Sequence, residues 1–199
     1  VGLGNVAPGY PLPPVTATTS PPSGATFFDQ WVRNAVTRDQ NFNWLTLNPV
    51  SPGAWQSRIV ALSGLQEATK TDLSAFQAKG GKLLIIHGTH DVLVSARSSQ
   101  QYMKRLRATM GLEKVAGFAR YYEVPGFNHV VGTAFHPLWS SLSALEDWVE
   151  KGAAPVNPVA TDGVGVPGRT RPLCEFPAWP KYKGKGNANL AMSFTCATE

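Results

Sequence analysis

The chain has 199 residues, 43% of them hydrophobic and 16% charged, a composition that excludes collagen-like and wholly disordered polymers. Its 19 glycines and 16 prolines exceed ordinary usage, while six tryptophans and nine phenylalanines supply core material, so a packed but loop-rich protein is expected. The net charge of +5 owes much to Arg169, Arg171, Lys181, Lys183 and Lys185 near the C-terminus, a solvated tail without the aromatic interleaving of a nucleic-acid surface, and no apolar run approaches the roughly 20 residues of a membrane span.

In chain order, the first residues, Val1-Gly2-Leu3-Gly4, show neither an initiator Met nor a leader pattern, which reads as a processed or truncated start. Residues 1 to about 26 hold Pro8, Pro11, Pro13, Pro14, Pro21 and Pro22, which oppose regular helix and interior strand and predict a linker or a wrapped arm. From Thr26 to Val36, Phe27, Phe28, Trp31, Val32 and Ala35 fall near one helical stripe.

Leu83-Leu84-Ile85-Ile86-His87 is a run without polar alternation, the pattern of a strand buried on both faces. It enters Gly88-Thr89-His90-Asp91, after which Ser95 caps a helix to about Thr109, with Tyr102, Leu106 and Met110 on one face and Gly111 as its stop. A second strand, about Phe118 to Val124, runs into Pro125-Gly126-Phe127-Asn128-His129. A third helix is expected from Pro137, with Leu138, Leu142, Leu145, Trp148 and Val149 inward and Gly152 closing it. The unit is β-loop-α-β-loop-α, with parallel neighbouring strands and ligands beyond their carboxyl ends.

Asp91 and His129 both fall at that rim. A carboxylate there can orient an imidazole through its N–H and stabilise the imidazolium, as the acid and base of a hydrolytic triad do. Their order, acid before histidine, is that of the second half of an α/β-hydrolase. No serine stands in a G-x-S-x-G setting, so the nucleophile is expected N-terminal to Val1, on another polypeptide portion. The blander alternative is a turn aspartate and a loop histidine in a non-catalytic binding module. Of the other histidines, His87 reads as a buried strand-end residue, His90 as a pocket neighbour of Asp91, and His136 as a residue before a helix start. Cys174 and Cys196 flank a Gly/Lys-rich stretch and suit either a loop-closing disulfide of an exported protein or two free thiols; their spacing is poor zinc geometry.

The segments Asp72-Leu73-Ser74-Ala75-Phe76, Gly80 through Asp91 and Val124-Pro125-Gly126-Phe127-Asn128-His129 resemble the tannase and feruloyl esterase family. So do Ala144 through Pro155, Arg171-Pro172-Leu173-Cys174, Tyr182-Lys183-Gly184 and Phe194-Thr195-Cys196. The resemblance covers roughly residues 68–196. It implies the C-terminal part of an α/β-hydrolase fold, parallel strands flanked by helices, with a loop-rich, disulfide-closed C-terminal segment. Three regions follow: 1–67 as the proline-rich arm and end of a lid, 68–155 as the core βαβα part, and 156–199 as the disulfide-bearing segment. It also implies a secreted or periplasmic serine esterase acting on aromatic-acid esters. Asp91 would be the triad acid, His129 the general base, His90 and Phe127 pocket residues, and Cys174–Cys196 the terminal disulfide. No cofactor or metal is expected in this chain, since a lid calcium of the family would lie outside it. In many members a cysteine follows the histidine and bridges to one beside the serine; here Val130 follows His129, so that bridge has no counterpart.

Overall fold

A computed structural model describes residues 23–130, 132 and 134–198, in two compact units divided after Thr69. Most of the expected proline-rich arm lies outside the described residues, but its last stretch, expected to be free of regular helix, is helical. Helix α1 spans Ser23–Trp31 and begins directly after Pro21-Pro22, because proline opposes helix only when it lies inside one. A π-helical turn, Val32–Thr37, continues α1 and ends at Arg38, which adopts a left-handed conformation at φ 56°. After two short turns, helix α2 spans Gln56–Gln66. Val32, Val36, Leu47 and Leu62 form the core of this first unit, with Phe28, Trp31, Phe42, Trp44, Trp55 and Ile59 packed round it. Phe27, expected on the buried stripe, is exposed.

The second unit is built on a parallel strand pair. A short helix α3 (Ser74–Ala78) precedes strand β1 (Leu83–Gly88). Helices α4 (Ala96–Met110) and α5 (Leu112–Ala116) then lead to strand β2 (Ala119–Val124). The strands run in parallel register from Leu83 opposite Ala119 to Gly88 opposite Val124. The Ser95 side chain accepts the Arg97 N–H at 3.3 Å, and Gly111 stops α4 at φ 88°, so both expected boundary residues cap the helix.

Alternation along β2 divides the core. Ala119 and Tyr121 join Met103, Leu106, Met110, Val115 and Phe118 on one face. Tyr122 and Val124 join Phe135, Ala160 and Leu173 on the other. The doubly buried strand is therefore β2, whereas Leu83 to His87 of β1 are only half-buried. The reason is neighbours. The second edge of β2 is met by a bridge from Tyr122 to Glu175 and by the Phe176 N–H on the Tyr121 carbonyl at 2.8 Å. Among the described residues β1 pairs with β2 alone.

The third expected helix starts later than its proline. Pro137–Leu138 form strand β3, and helix α6 spans Ser141–Lys151, ending at left-handed Gly152. Strand β3 pairs antiparallel with β4 (Val159–Asp162), which pairs with β5 (Thr170–Pro172). His136 therefore precedes a strand, and Leu138, Leu142 and Val149 are exposed. Trp148 is buried, with Lys82 Nζ and the Arg120 guanidinium 5.3 and 5.0 Å from its ring centre. Strands β6 (Trp179–Tyr182) and β7 (Phe194–Ala197) form an antiparallel pair, and Cys174–Cys196 is a disulfide with Cα atoms 5.4 Å apart.

Asp162 organises the turn between β4 and β5. Its carboxylate, with no side-chain exposure, accepts the backbone N–H groups of His136, Val164, Gly165 and Val166 and pairs with Arg169, which also donates to the Ala134 carbonyl. Burial raises its pKa, but those N–H donors outweigh burial and hold it well below the usual carboxylate range.

Candidate active site

Two loops leave the carboxyl ends of β1 and β2 side by side and are stitched together by their backbones. Thr89 N–H donates to the Val124 carbonyl at 3.1 Å, and His90 N–H to the Phe127 carbonyl at 3.0 Å. Gly126 takes the turn after β2 at φ 82°. Gly88 is required for closeness: a Cβ there would lie 2.1 Å from the Phe127 carbonyl oxygen and 2.9 Å from that of Asn128, inside any permitted contact. The Asn128 side-chain oxygen accepts the N–H groups of Val92 and His129 at 3.2 and 2.8 Å, tying the two loops together beside the histidine.

This stitching brings the two residues singled out at the rim into contact. His129 Nδ1 lies 2.9 Å from Asp91 Oδ2. The Asp91 side chain is 4% exposed and that of His129 44%, so the carboxylate sits beneath the imidazole. Asp91 Oδ1 accepts the N–H groups of Leu93 and Val94 at 2.9 and 2.8 Å. Burial pushes the Asp91 carboxyl upward, but the Val94 N–H, the His129 side chain and the Leu93 N–H more than offset it, and its pKa is lowered. A carboxylate acceptor places a proton on His129 Nδ1 and leaves Nε2 as the basic nitrogen of the neutral ring.

A cleft of about 220 Å³ opens here, lined by Ile86, His87, Gly88, Asp91, Val94, Phe127 and His129. His90 does not line the cleft; its Nδ1 accepts the Gly126 N–H at 3.2 Å and lies 3.1 Å from the Thr89 hydroxyl, fastening the loops. His87, read as a strand-end residue, is a third neighbour of the pair, with Nε2 3.2 Å from Asp91 Oδ2. Neither Asn128 nor His87 is marked by a local sequence signal beyond adjacency to the motif. Among the described residues no group of three or more His, Cys, Asp or Glu side chains is gathered to hold a metal ion.

The family model described as tannase and feruloyl esterase matches residues 15–197. The chain belongs to the tannase and feruloyl esterase family. An uncharacterized esterase of Agrobacterium fabrum is 42% identical over 94% of this chain and 34% of its own length. The mono(2-hydroxyethyl) terephthalate hydrolase of Piscinibacter sakaiensis is 43% identical over 65% of this chain and 22% of its own length. A probable feruloyl esterase of Arthroderma benhamiae is 34% identical over 85% and 33%. The crystal structure of feruloyl esterase B from Aspergillus oryzae superimposes with a TM-score of 0.75 at 26% identity, covering 89% of this chain and 38% of that one. The chain therefore spans about a third or less of the length of the relatives it matches. The fold is of the α/β-hydrolase type, as these family neighbours have it.

Proposed function

We propose that this chain is the acid- and base-bearing portion of a serine carboxylesterase that hydrolyses esters of aromatic acids. The observation that carries the reading is the 2.9 Å contact between His129 Nδ1 and the buried carboxylate of Asp91 at the mouth of a cleft. Family membership and the feruloyl and terephthalate esters named for its relatives support the substrate class.

In this mechanism His129 Nε2 takes the proton of a serine hydroxyl as the oxygen attacks the ester carbonyl. The imidazolium formed is stabilised by Asp91 and returns the proton to the leaving alcohol. The serine is left acylated; water, deprotonated by the same nitrogen, attacks that acyl carbon, and the proton passes to the serine oxygen as its bond to the acyl group breaks and the acid is released. The serine belongs to another portion of the protein, in a G-x-S-x-G turn, since no serine here stands in that setting. Phe127 at the cleft wall offers an apolar face to the aromatic acid. In this reading residues 1–67 are the proline-rich arm and the end of the lid, and the Cys174–Cys196 disulfide fits export to an oxidising compartment, secreted or periplasmic. No helix among the described residues is long and apolar enough to cross a membrane.

The test is hydrolysis of feruloyl, galloyl and terephthaloyl esters by this chain together with its serine-bearing portion, with His129→Ala and Asp91→Asn beside the wild type. Loss of turnover in the first and a fall of about 10⁴-fold in the second, with melting unchanged, are expected. Retained turnover in His129→Ala would sink the assignment.

A further inference from the structure

The Asp91 carboxylate has two oxygens and about four lone-pair directions, and three N–H groups donate to it. Oδ1 holds the N–H groups of Leu93 and Val94. Oδ2 accepts from His129 Nδ1 at 2.9 Å, and the edge of the His87 ring lies beside it, with Nε2 3.2 Å away. The His87 side chain is 12% exposed, and its other contacts fix where its proton sits. Nε2 also lies 3.0 Å from the Val94 carbonyl, which can only accept. Both neighbours of Nε2 are therefore acceptors, so Nε2 carries hydrogen. Nδ1 lies 2.8 Å from the Ser99 hydroxyl, a group able to donate to it, from the first turns of α4.

We infer that His87 is a positioning residue for the Asp91–His129 pair: its Nε2–H, held in that tautomer by Ser99, donates to the Val94 carbonyl and braces the loop whose N–H groups hold Asp91 Oδ1, while the ring edge 3.2 Å from Oδ2 keeps the carboxylate turned toward His129. The same N–H grips the Val94 carbonyl, while the Val94 N–H grips Oδ1. The ring thus bounds the carboxylate at Oδ2, while the loop it braces holds Oδ1. Without His87, the carboxylate keeps its Oδ1 contacts but is free to twist about them, and a bond that sets the His129 tautomer loses its direction. Strand β1 supplies the ring and α4 the hydroxyl, so two rigid elements stand behind the loop residue.

This inference rests on the esterase reading for its kinetic consequence but not for its spectroscopic one. Imidazole ¹⁵N spectra of this chain should show hydrogen on Nε2 of His87 and on Nδ1 of His129. In His87→Leu the His129 Nδ1–H population should fall toward a mixture of tautomers, and in His87→Gln, whose amide can still donate, it should be largely kept. In the protein complete with its serine portion, His87→Leu should lose about 10- to 100-fold in kcat with KM unchanged. Should His87→Leu fail to fold, Ser99→Ala decides: it keeps the ring and releases its tautomer, and His129 should follow in part. A folded His87→Leu or Ser99→Ala with wild-type His129 spectra overturns the inference. A wild type without ester turnover, but with His129 spectra that respond to His87, would defeat the esterase reading and leave this one standing.

Discussion

Replacing Asp162 by Asn probes the turn that secures the segment beyond His129. The amide keeps the shape of the carboxylate but can accept on one side only. Its best orientation keeps the oxygen toward His136, Val164 and Gly165, which places an NH₂ against the Val166 N–H and the Arg169 guanidinium. One backbone N–H then loses its acceptor, and a guanidinium with 18% side-chain exposure loses its counter-charge. Breaking one side of a buried pair costs about 3–5 kcal/mol, and that range already includes much of the orphaned N–H. Urea unfolding of wild type and Asp162→Asn at neutral pH should show the midpoint falling by that free energy at constant slope. The pH dependence has a defined sign. A carboxyl held below its unfolded value of 3.8 contributes stability that is complete above that pH and is lost as pH falls through the folded pKa. The gap between the two proteins should therefore narrow only in acid below about pH 4. A loss under about 1 kcal/mol at neutral pH would show that solvent replaces these contacts and would refute the reasoning.

Gly88→Ala should lower ester turnover more than it lowers stability, because its Cβ collides with the loop carrying His129 and that loop can move aside; turnover and melting measured together check this. Cys196→Ser, which opens a loop closed across a sequence separation of 22, should cost about 3 kcal/mol in chemical denaturation and leave the His129 tautomer unchanged in imidazole spectra.

What the sequence makes legible here is what local pattern can encode. Strand β1, the Ser95-capped helix and β2 follow from an apolar run, a 3.6-residue stripe and the glycines that punctuate them, and the loops after the two strands follow from topology. The Asp91–His129 contact is legible because parallel neighbours put their loop residues on one rim. Burial is less so. The run from Leu83 to Ile86 reads as a central strand, yet Tyr121 and Tyr122 of β2 are the more deeply covered residues, since coverage depends on the segment at Glu175 and Phe176, far along the chain. Pro137 shows the same limit. It is a plausible first residue of a helix until β4, drawn in by Asp162 and Gly163, claims it for a strand. Strands β4 to β7 are three or four residues each and two of them contain proline, too short for alternation to register. The role of His87 lies beyond pattern altogether, because it depends on which loop carbonyl its ring nitrogen meets after a turn has closed.

The contact of Glu175 and Phe176 with β2 gives the parallel pair a direction. The residue after disulfide-bonded Cys174 caps one rim of the sheet, and Glu175 is itself clasped by Arg107 and Arg120, from α4 and β2. A strand seeking to join there would have to displace a segment anchored covalently on one side and electrostatically on two others. Assembly of this sheet with any further strand is thereby confined to the rim of β1: with the Glu175 segment seated, the sheet has one side left on which to grow.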